Sequence, residues 1–518
     1  MNDTQDIFDD ECDVLVVGYG FAGAAAAIAA ANAGKKVLLV EKMPDPGGIS
    51  ICSGGSARSA YSFDDALAYL TATNAGRTPD DVLAVLAQGM VDMPAYLGKL
   101  AADCGLQISP NLTGNRKRGG NYPLPGWETF YHTHIDLIPD WDAREVYPQV
   151  AGMPGGARLF HVMQKNVEMR EIEVWLEAPA KEIISRGSGS DLEILGLVVE
   201  TPSGTRRVRA RSAVVLACGG FECDEEMKRQ FWQMTPVLAA MARQNSGDGL
   251  RMAQSVGAQL WHMWHFHGSY GFNPPDDVFP YAVRMKRLPD WLPSEDTSAR
   301  APMCWVLVDQ SGRRFMNEMP PYTQDTAARP MELYDPITQK FPRIPSYMIC
   351  DEEGRKMYPL GMPCYNERGL DFRWSSDNLA EVQRGLLKRA DSVAELAAII
   401  GADEAVLEET LARWNEFCAQ EEDPDFGRLP GSFVPIRTPP FYTAEIWPVV
   451  SNTQGGPVHD ARQQIIDVEG RPIRRLFAAG ELGSAFGHLY MSGSNIAECF
   501  ITGEVAGREA ASLAPWTE

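Results

Sequence analysis

Between Asp13 and Lys42 an apolar run, Val14 to Val17, breaks into Gly18-Tyr19-Gly20-Phe21-Ala22-Gly23. It continues as an alanine-rich stretch to Gly34 and returns as Val37-Leu38-Leu39-Val40 before ending on Glu41. Strand, glycine turn, helix, second buried strand and terminal acid, in that order, make a complete βαβ dinucleotide unit. Gly18 makes the tight turn. Gly20 lacks the Cβ that would hold backbone away from a pyrophosphate, and Gly23 lets the helix lie against the strand. The helix then meets the phosphates with its own N–H groups, and Glu41 stands where ribose hydroxyls are accepted.

The 518 residues are enough for two or three domains. No apolar run is long enough to span a bilayer, and the first eleven residues are acidic where a secretion leader is basic and then apolar. The expectation is a cytoplasmic protein without a transmembrane segment. Ten cysteines lie scattered with no Cys-x-x-Cys pair, which reads as reduced thiols rather than disulfides, metal or haem attachment. His132 and His134, with no third ligand nearby, read as hydrogen-bonded polar groups. A net charge of −22 opposes nucleic acid and anionic membranes.

Further along, Gly47 to Gly55 forms a second glycine-rich loop. The irregular, aromatic-rich stretch 110–156 reads as a loop over a pocket. Apolar runs at Ile172–Leu176, Ala178–Ile184, Leu192–Glu200 and Arg206–Ala210, punctuated by glycine turns, predict an antiparallel meander. A buried strand from Ser212 ends at Gly219-Gly220. From about Trp264 to Pro440 loops lengthen and prolines multiply, which marks an inserted domain. The first domain resumes with Leu476-Phe477-Ala478-Ala479-Gly480-Glu481 and a final helix, for which Asn495 and Glu498 have capping-box spacing.

With these motifs in this order the chain resembles the flavoproteins of the fumarate reductase and succinate dehydrogenase superfamily, and within it the 3-ketosteroid dehydrogenases. The likeness is carried by the βαβ unit, Gly47-Gly48, Ala217 to Phe221, Ser246-Gly247-Asp248-Gly249, Gly312 to Glu318, Gly455-Gly456 and Phe477 to Glu481. It implies an α/β fold: a Rossmann-like FAD-binding domain, parallel sheet plus antiparallel meander, from 1–264 and 441–518, with an inserted α+β catalytic domain at 265–440. The implied cofactor residues of the first loops are Gly18, Gly20, Phe21, Ala22, Gly23, Glu41, Lys42, Gly47, Gly48, Ser50, Ser53, Gly54 and Gly55. Farther on they are Ala180, Gly219, Gly220, Asp248, Gly480, Glu481, Ser494, Asn495 and Ile496. The final helix points its N-terminus at the flavin. Succinate dehydrogenases attach FAD through a histidine after the first βαβ unit; residues 43–60 contain none, so FAD is expected to be non-covalent.

Two departures set the expected chemistry. Where soluble fumarate reductases carry a catalytic arginine after their Asn-Glu pair, this chain has Tyr322, and where they clamp a carboxylate with arginine it has Met491. The resemblance to ketosteroid dehydrogenases then implies a neutral cyclic ketone or steroid-like substrate, with Tyr322 as base, Tyr147 assisting it, and the Tyr490 hydroxyl with the Ser494 backbone N–H holding the ketone oxygen. FAD takes the β-hydride and an external electron acceptor reoxidises it. Arg284 and Arg287 are other sources of positive charge. Desaturation beside a ketone is the physically accessible case, because the carbonyl acidifies one of the two C–H bonds. The alternatives are the reverse reaction, reduction of an activated alkene, and a flavin electron carrier with no substrate of its own.

Overall fold

The computed structural model describes residues 8–108, 122–241, 243–275, 277–289, 301–320 and 328–516. Its first sheet grows from strand Asp10–Val17, with Val37–Val40 on one side and Gly204–Leu216 on the other, both parallel to it. Glu173–Trp175 and Pro472–Ala478 extend it outward, again in parallel. Val14, Leu15 and Val16 are all fully buried, as expected of a parallel sheet covered on both faces, whose strands are continuous apolar runs rather than alternating ones.

The meander is present, with one strand reassigned. Ala180–Arg186, Glu193–Thr201 and Gly204–Leu216 pair antiparallel, but the run at Ile172–Leu176 joins the parallel sheet through Glu173–Trp175. The runs at Arg206–Ala210 and Ser212–Leu216 are one strand of 13 residues. Its first half pairs antiparallel with Glu193–Thr201 and from Val208 onward it pairs parallel with Asp10–Val17, with a register shift between Cys12 and Val14.

Helices Phe21–Asn32 and Ser494–Ser512 lie against each other on this sheet. The contact is made by backbone: a Cβ on Gly503 would stand 2.4 Å from the Ala22 carbonyl oxygen, and one on Gly507 2.2 Å from that of Ala26. Within the turn, a Cβ on Gly23 would stand 1.7 Å from the Gly18 carbonyl oxygen. Small residues on both helices thus fix how closely the last helix approaches the nucleotide turn.

The second sheet orders Val306–Val308, Ser346–Asp351, Phe441–Thr453, Phe266–Phe272, Val283–Met285 and Gly361–Met362, with antiparallel neighbours. Phe441–Thr453, which the sequence reading assigns to the returning first domain, pairs here. Its end reaches back to the first unit, where the Thr453 N–H donates to Glu481 Oε1 at 2.7 Å. In this second unit Glu318 is fully buried against Arg314 (2.9 Å) and Arg428 (3.4 Å), and Arg314 also meets Asp423 (3.1 Å). The Leu307 N–H donates to Glu318 Oε1, so the Asn317-Glu318 motif anchors chain to the sheet edge just before residues 321–327. Tyr322 falls among those and lies outside the described residues. Among the described residues no helix is long and apolar enough to cross a membrane.

Candidate active site

A groove runs over the carboxyl ends of the parallel strands, where open α/β sheets bind their ligands. It is lined by Gly18, Gly20, Phe21, Ala22, Glu41, Lys42, Gly48, Ser50, Ala180, Gly219, Asp248 and Glu481, all foreseen in the sequence, together with Tyr19, Gln244 and Asn245, which were not. Gly20 caps the first helix and has no side chain to satisfy its N–H groups; the Phe21 N–H is held by Ser50 Oγ at 3.2 Å. Glu41 accepts the N–H of Tyr19 at 2.8 Å and of Met43 at 2.9 Å, and each carboxylate oxygen keeps a lone pair for a further hydroxyl. Burial pushes its carboxyl upward, against the hydrogen bonds that pull it down. Lys42 is tied to Asp248 at 2.7 Å and Ser246 at 2.9 Å, joining the two ends of the groove.

Among the described residues neither amide atom of buried Gln244 has a hydrogen-bond partner. A buried amide left unmet costs about 1–3 kcal/mol per group, so a ligand with donors and acceptors belongs in this groove. A dinucleotide fits: an anion-seeking helix start, a ribose acceptor and an unmet amide all line it. Glu41→Ala is expected to weaken cofactor retention by about 1.5–3 kcal/mol, read as FAD released on dialysis and followed by its fluorescence. Retention equal to the parent protein would remove Glu41 from the site.

Phe21, Ile49, Ser50, Glu481 and Cys499 line both this groove and a larger cavity of about 500 Å³, so the two are continuous. At the junction Glu481 accepts from Thr453 and from Asn245 Nδ2 (3.3 Å), and the same Asn245 amide donates to Glu222 at 2.7 Å. Both acids are buried, and burial with their mutual repulsion raises Glu222 well above the carboxylate range; burial raises Glu481 too. Both are thus pushed toward their protonated forms relative to an exposed carboxylate.

The far wall of the cavity is the turn before the last helix. Gly493, at φ +76°, is its N-cap, and Ser492, Gly493, Asn495 and Ile496 face the cavity. The turn is pinned: the Ser492 carbonyl accepts from Arg58 Nε at 2.7 Å and His132 Nε2 at 3.2 Å, and the Gly493 carbonyl accepts the Arg58 N–H at 3.0 Å. Burial first, and the Arg58 charge second, hold His132 well below the usual imidazole range, so it is neutral at pH 7. Tyr490 lines the cavity, is buried, and accepts the Gly493 N–H at 3.1 Å. Its ring lies 4.0 Å from that of His267, whose Nδ1–H donates to Asn452 Oδ1 at 2.8 Å.

Ser53, Gly54, Asn495 and Ile496, expected at the cofactor, line this second cavity rather than the groove. Gly23, Gly47, Gly55, Gly220 and Gly480 line neither space and act through packing. Ser494 departs from its expected role. Its N–H donates to the Met491 carbonyl at 3.0 Å and its hydroxyl to the same oxygen at 2.6 Å, so neither is aimed at a ketone. The cause is the left-handed Gly493, which starts the helix one residue before Asn495. No capping box forms: Glu498 instead accepts from the Ala485 N–H (2.7 Å) and Ser484 Oγ (2.8 Å), and burial pushes its carboxyl up to about 8. Tyr147 is not at the cavity either. Its hydroxyl donates to Gln164 at 2.8 Å and its ring packs on Phe160. His132, His267, Arg284 and Arg287 line the cavity without being assigned to it by the sequence reading; the two arginines three residues apart are the available signal.

A family model described as the FAD binding domain matches residues 13–496. Urocanate reductase of Eggerthella lenta is 27% identical, over 97% of this chain and 75% of its own length. The 4-oxocyclohexanecarboxylate 2-dehydrogenase of Sinomonas cyclohexanicum is 28% identical, over 97% and 93%. The structure of a 3-ketosteroid Δ1-dehydrogenase from Sterolibacterium denitrificans, solved with 1,4-androstadiene-3,17-dione, superposes with a TM-score of 0.81 at 22% identity, covering 97% of this chain and 100% of that one. At that identity the last is a likeness of fold.

Proposed function

Because the chain belongs to the FAD binding domain family, within the fumarate reductase and succinate dehydrogenase flavoprotein superfamily, we propose that this FAD-dependent oxidoreductase of CH–CH and C=C groups works on a bond conjugated to the carbonyl of a cyclic substrate. The observation that carries the reading is the Tyr490 hydroxyl at the cavity wall beside a helix start with no side-chain cap.

FAD supplies the hydride acceptor, or the donor in the reverse direction. The protein's part is to bind and polarise the carbonyl. By accepting from the Gly493 N–H, the Tyr490 oxygen becomes a stronger O–H donor toward a carbonyl oxygen. The positive end of the last helix adds to the stabilisation of negative charge developing there. Arg58 and His132 hold the Ser492 carbonyl, which keeps the turn from following the substrate. Tyr322 is proposed as the group that moves the α-proton; a phenol with an ordinary pKa near 10 needs a polarising neighbour for this, and Ser494 and Tyr147 are not retained in the assignment. A steroid-like ring system is one candidate ligand for a cavity of this size, in line with the ligand of the superposed dehydrogenase. The reductive direction is favoured by the likeness to urocanate reductase. An electron carrier without a substrate has no use for a cavity walled by a polarised phenol.

The test is anaerobic mixing of the yellow protein with cyclic ketones, and of the dithionite-reduced protein with the matching enones, following flavin absorbance. Bleaching by a ketone or recolouring by an enone supports the reading; inertness to all carbonyl compounds, with reduction only by small redox proteins, would overturn it. Acid precipitation is expected to release intact FAD into the supernatant, since residues 43–60 hold no histidine. Flavin that stays in the pellet would show a covalent bond.

A further inference from the structure

Gly47 and Gly48, at φ +108° and +50°, shape the loop that walls one side of the nucleotide groove, where Gly48, Ile49 and Ser50 line it. Packing does not fix the loop at Gly48, since a Cβ built there would meet nothing within 4 Å. From its own unit the Gly47 N–H donates to the Tyr19 carbonyl at 2.7 Å. A second support comes from the other unit, 318 residues along the chain: Asn366, buried at 3% exposure, donates from Nδ2 to the Gly48 carbonyl at 3.1 Å and the Pro46 carbonyl at 3.5 Å. Arg368 donates through Nε, and through Nη2 at 2.6 Å, to the two carboxylate oxygens of Asp45. The segment carrying both side chains is itself tied down. Tyr365–Asn366 pairs antiparallel with Val150–Ala151, the Asn366 N–H donates to the Met241 carbonyl at 3.2 Å, and the Glu367 N–H to the Gln149 carbonyl at 3.1 Å. Extended chain sends alternate side chains to opposite sides, so Asn366 and Arg368 turn to the loop while Glu367 meets Arg243 and Tyr281.

We propose that Asn366 and Arg368 form a strap that holds loop 45–48 shut over the cofactor, so that FAD leaves the groove only when the second unit lets go of this loop. The strap depends on the FAD site and on no particular substrate. Two consecutive glycines in the left-handed region give a released loop wide backbone freedom, so bonds from outside the loop set how long it stays in place. By linkage, whatever free energy the strap adds to the closed loop it adds to the retention of a cofactor that needs the loop closed. The two contacts differ in kind. The Asn366 bond is neutral and buried, with its NH2 group oriented by two carbonyl oxygens, and salt does not screen it. Arg368 is 68% exposed, so its ion pair with Asp45 is weaker and salt-sensitive.

The experiment follows the growth of flavin fluorescence after the FAD-loaded protein is diluted, for the parent, Asn366→Ala, Arg368→Ala and, as a control, Arg413→Ala. Arg413, on helix Glu404–Gln420, makes the same two-bond contact with Asp425 and is 55% exposed, but does not touch the loop. Asn366→Ala is expected to release FAD about three- to tenfold faster than the parent, the usual worth of one hydrogen bond expressed as a rate, at low and high salt alike. Arg368→Ala is expected to release it about two- to fivefold faster at low salt. That excess should fade toward about 1 M sodium chloride, where the screening length is about 3 Å, and Arg413→Ala should keep the parent rate. Parent-like release in both strap variants, or acceleration in Arg413→Ala as large as in Arg368→Ala, would overturn the strap. An excess in Arg368→Ala that salt does not reduce would overturn the part given to the ion pair. If Asn366→Ala does not fold, exposed Arg368→Ala with its salt series decides alone.

Discussion

Tyr490→Phe is expected to lower turnover by about 100- to 1,000-fold, the usual effect of losing one donor to a developing oxyanion. The change deletes one oxygen and keeps the ring against His267 and Phe486. Inside the protein it leaves the Gly493 N–H without its acceptor, a loss of about 1–3 kcal/mol if no other acceptor replaces it. Two readouts separate the roles. FAD content should be unchanged, because Tyr490 does not line the nucleotide groove, while kcat falls with whichever carbonyl substrate exchanges hydride with the flavin. Activity within a few-fold of the parent would show that Tyr490 only holds the turn.

Glu318→Gln is expected to cost about 3–5 kcal/mol of stability, the range for removing one partner of a buried ion pair. The substitution keeps an acceptor for the Leu307 N–H but leaves Arg314 and Arg428 facing each other with Asp423 as their remaining acid. The pH dependence gives the sign. Burial alone would raise the Glu318 carboxyl, yet Arg314 and then Arg428 hold it below the usual value of 4.5. Its contribution is therefore fully present above pH 4.5 and is lost as pH falls through the lower folded value. Urea unfolding of the parent should weaken below pH 4.5, and Glu318→Gln should show a shallower acid decline from a lower plateau. A variant as stable as the parent at pH 7 would mean that the cluster relaxes without its central charge. Because Glu318 anchors the chain entering residues 321–327, the same variant is expected to lose activity before it loses FAD.

The βαβ unit and the glycine loops were legible because their requirements are local: a turn, a close approach and a helix start are each set by residues within a few positions. The same holds for the meander turns. Spacing alone does not reveal where the Ser494 N–H points: Gly493 takes a left-handed conformation and is the N-cap, two residues before Asn495. The Tyr147 hydroxyl meets Gln164, 17 residues on, a partner that its position in the sequence does not reveal. An apolar strand does not announce its neighbours: Phe441–Thr453, inside the range read as the returning first domain, pairs with Phe266–Phe272 more than 160 residues away. The sequence shows Arg287 as a charge, yet its approach to Ser492 across 205 residues is a product of the whole fold.

The glycine-to-carbonyl contact between the first and last helices also bears on how the protein is made. Helix Phe21–Asn32, with its apolar alanine face, leaves the ribosome roughly half a minute to a minute and a half before helix Ser494–Ser512 exists, at synthesis rates of roughly 5–20 residues per second. Strand Pro472–Ala478 of the nucleotide sheet is nearly as late. Throughout that interval the nascent chain carries an incomplete nucleotide site and an uncovered sheet edge, so the groove for FAD is completed only at the end of synthesis.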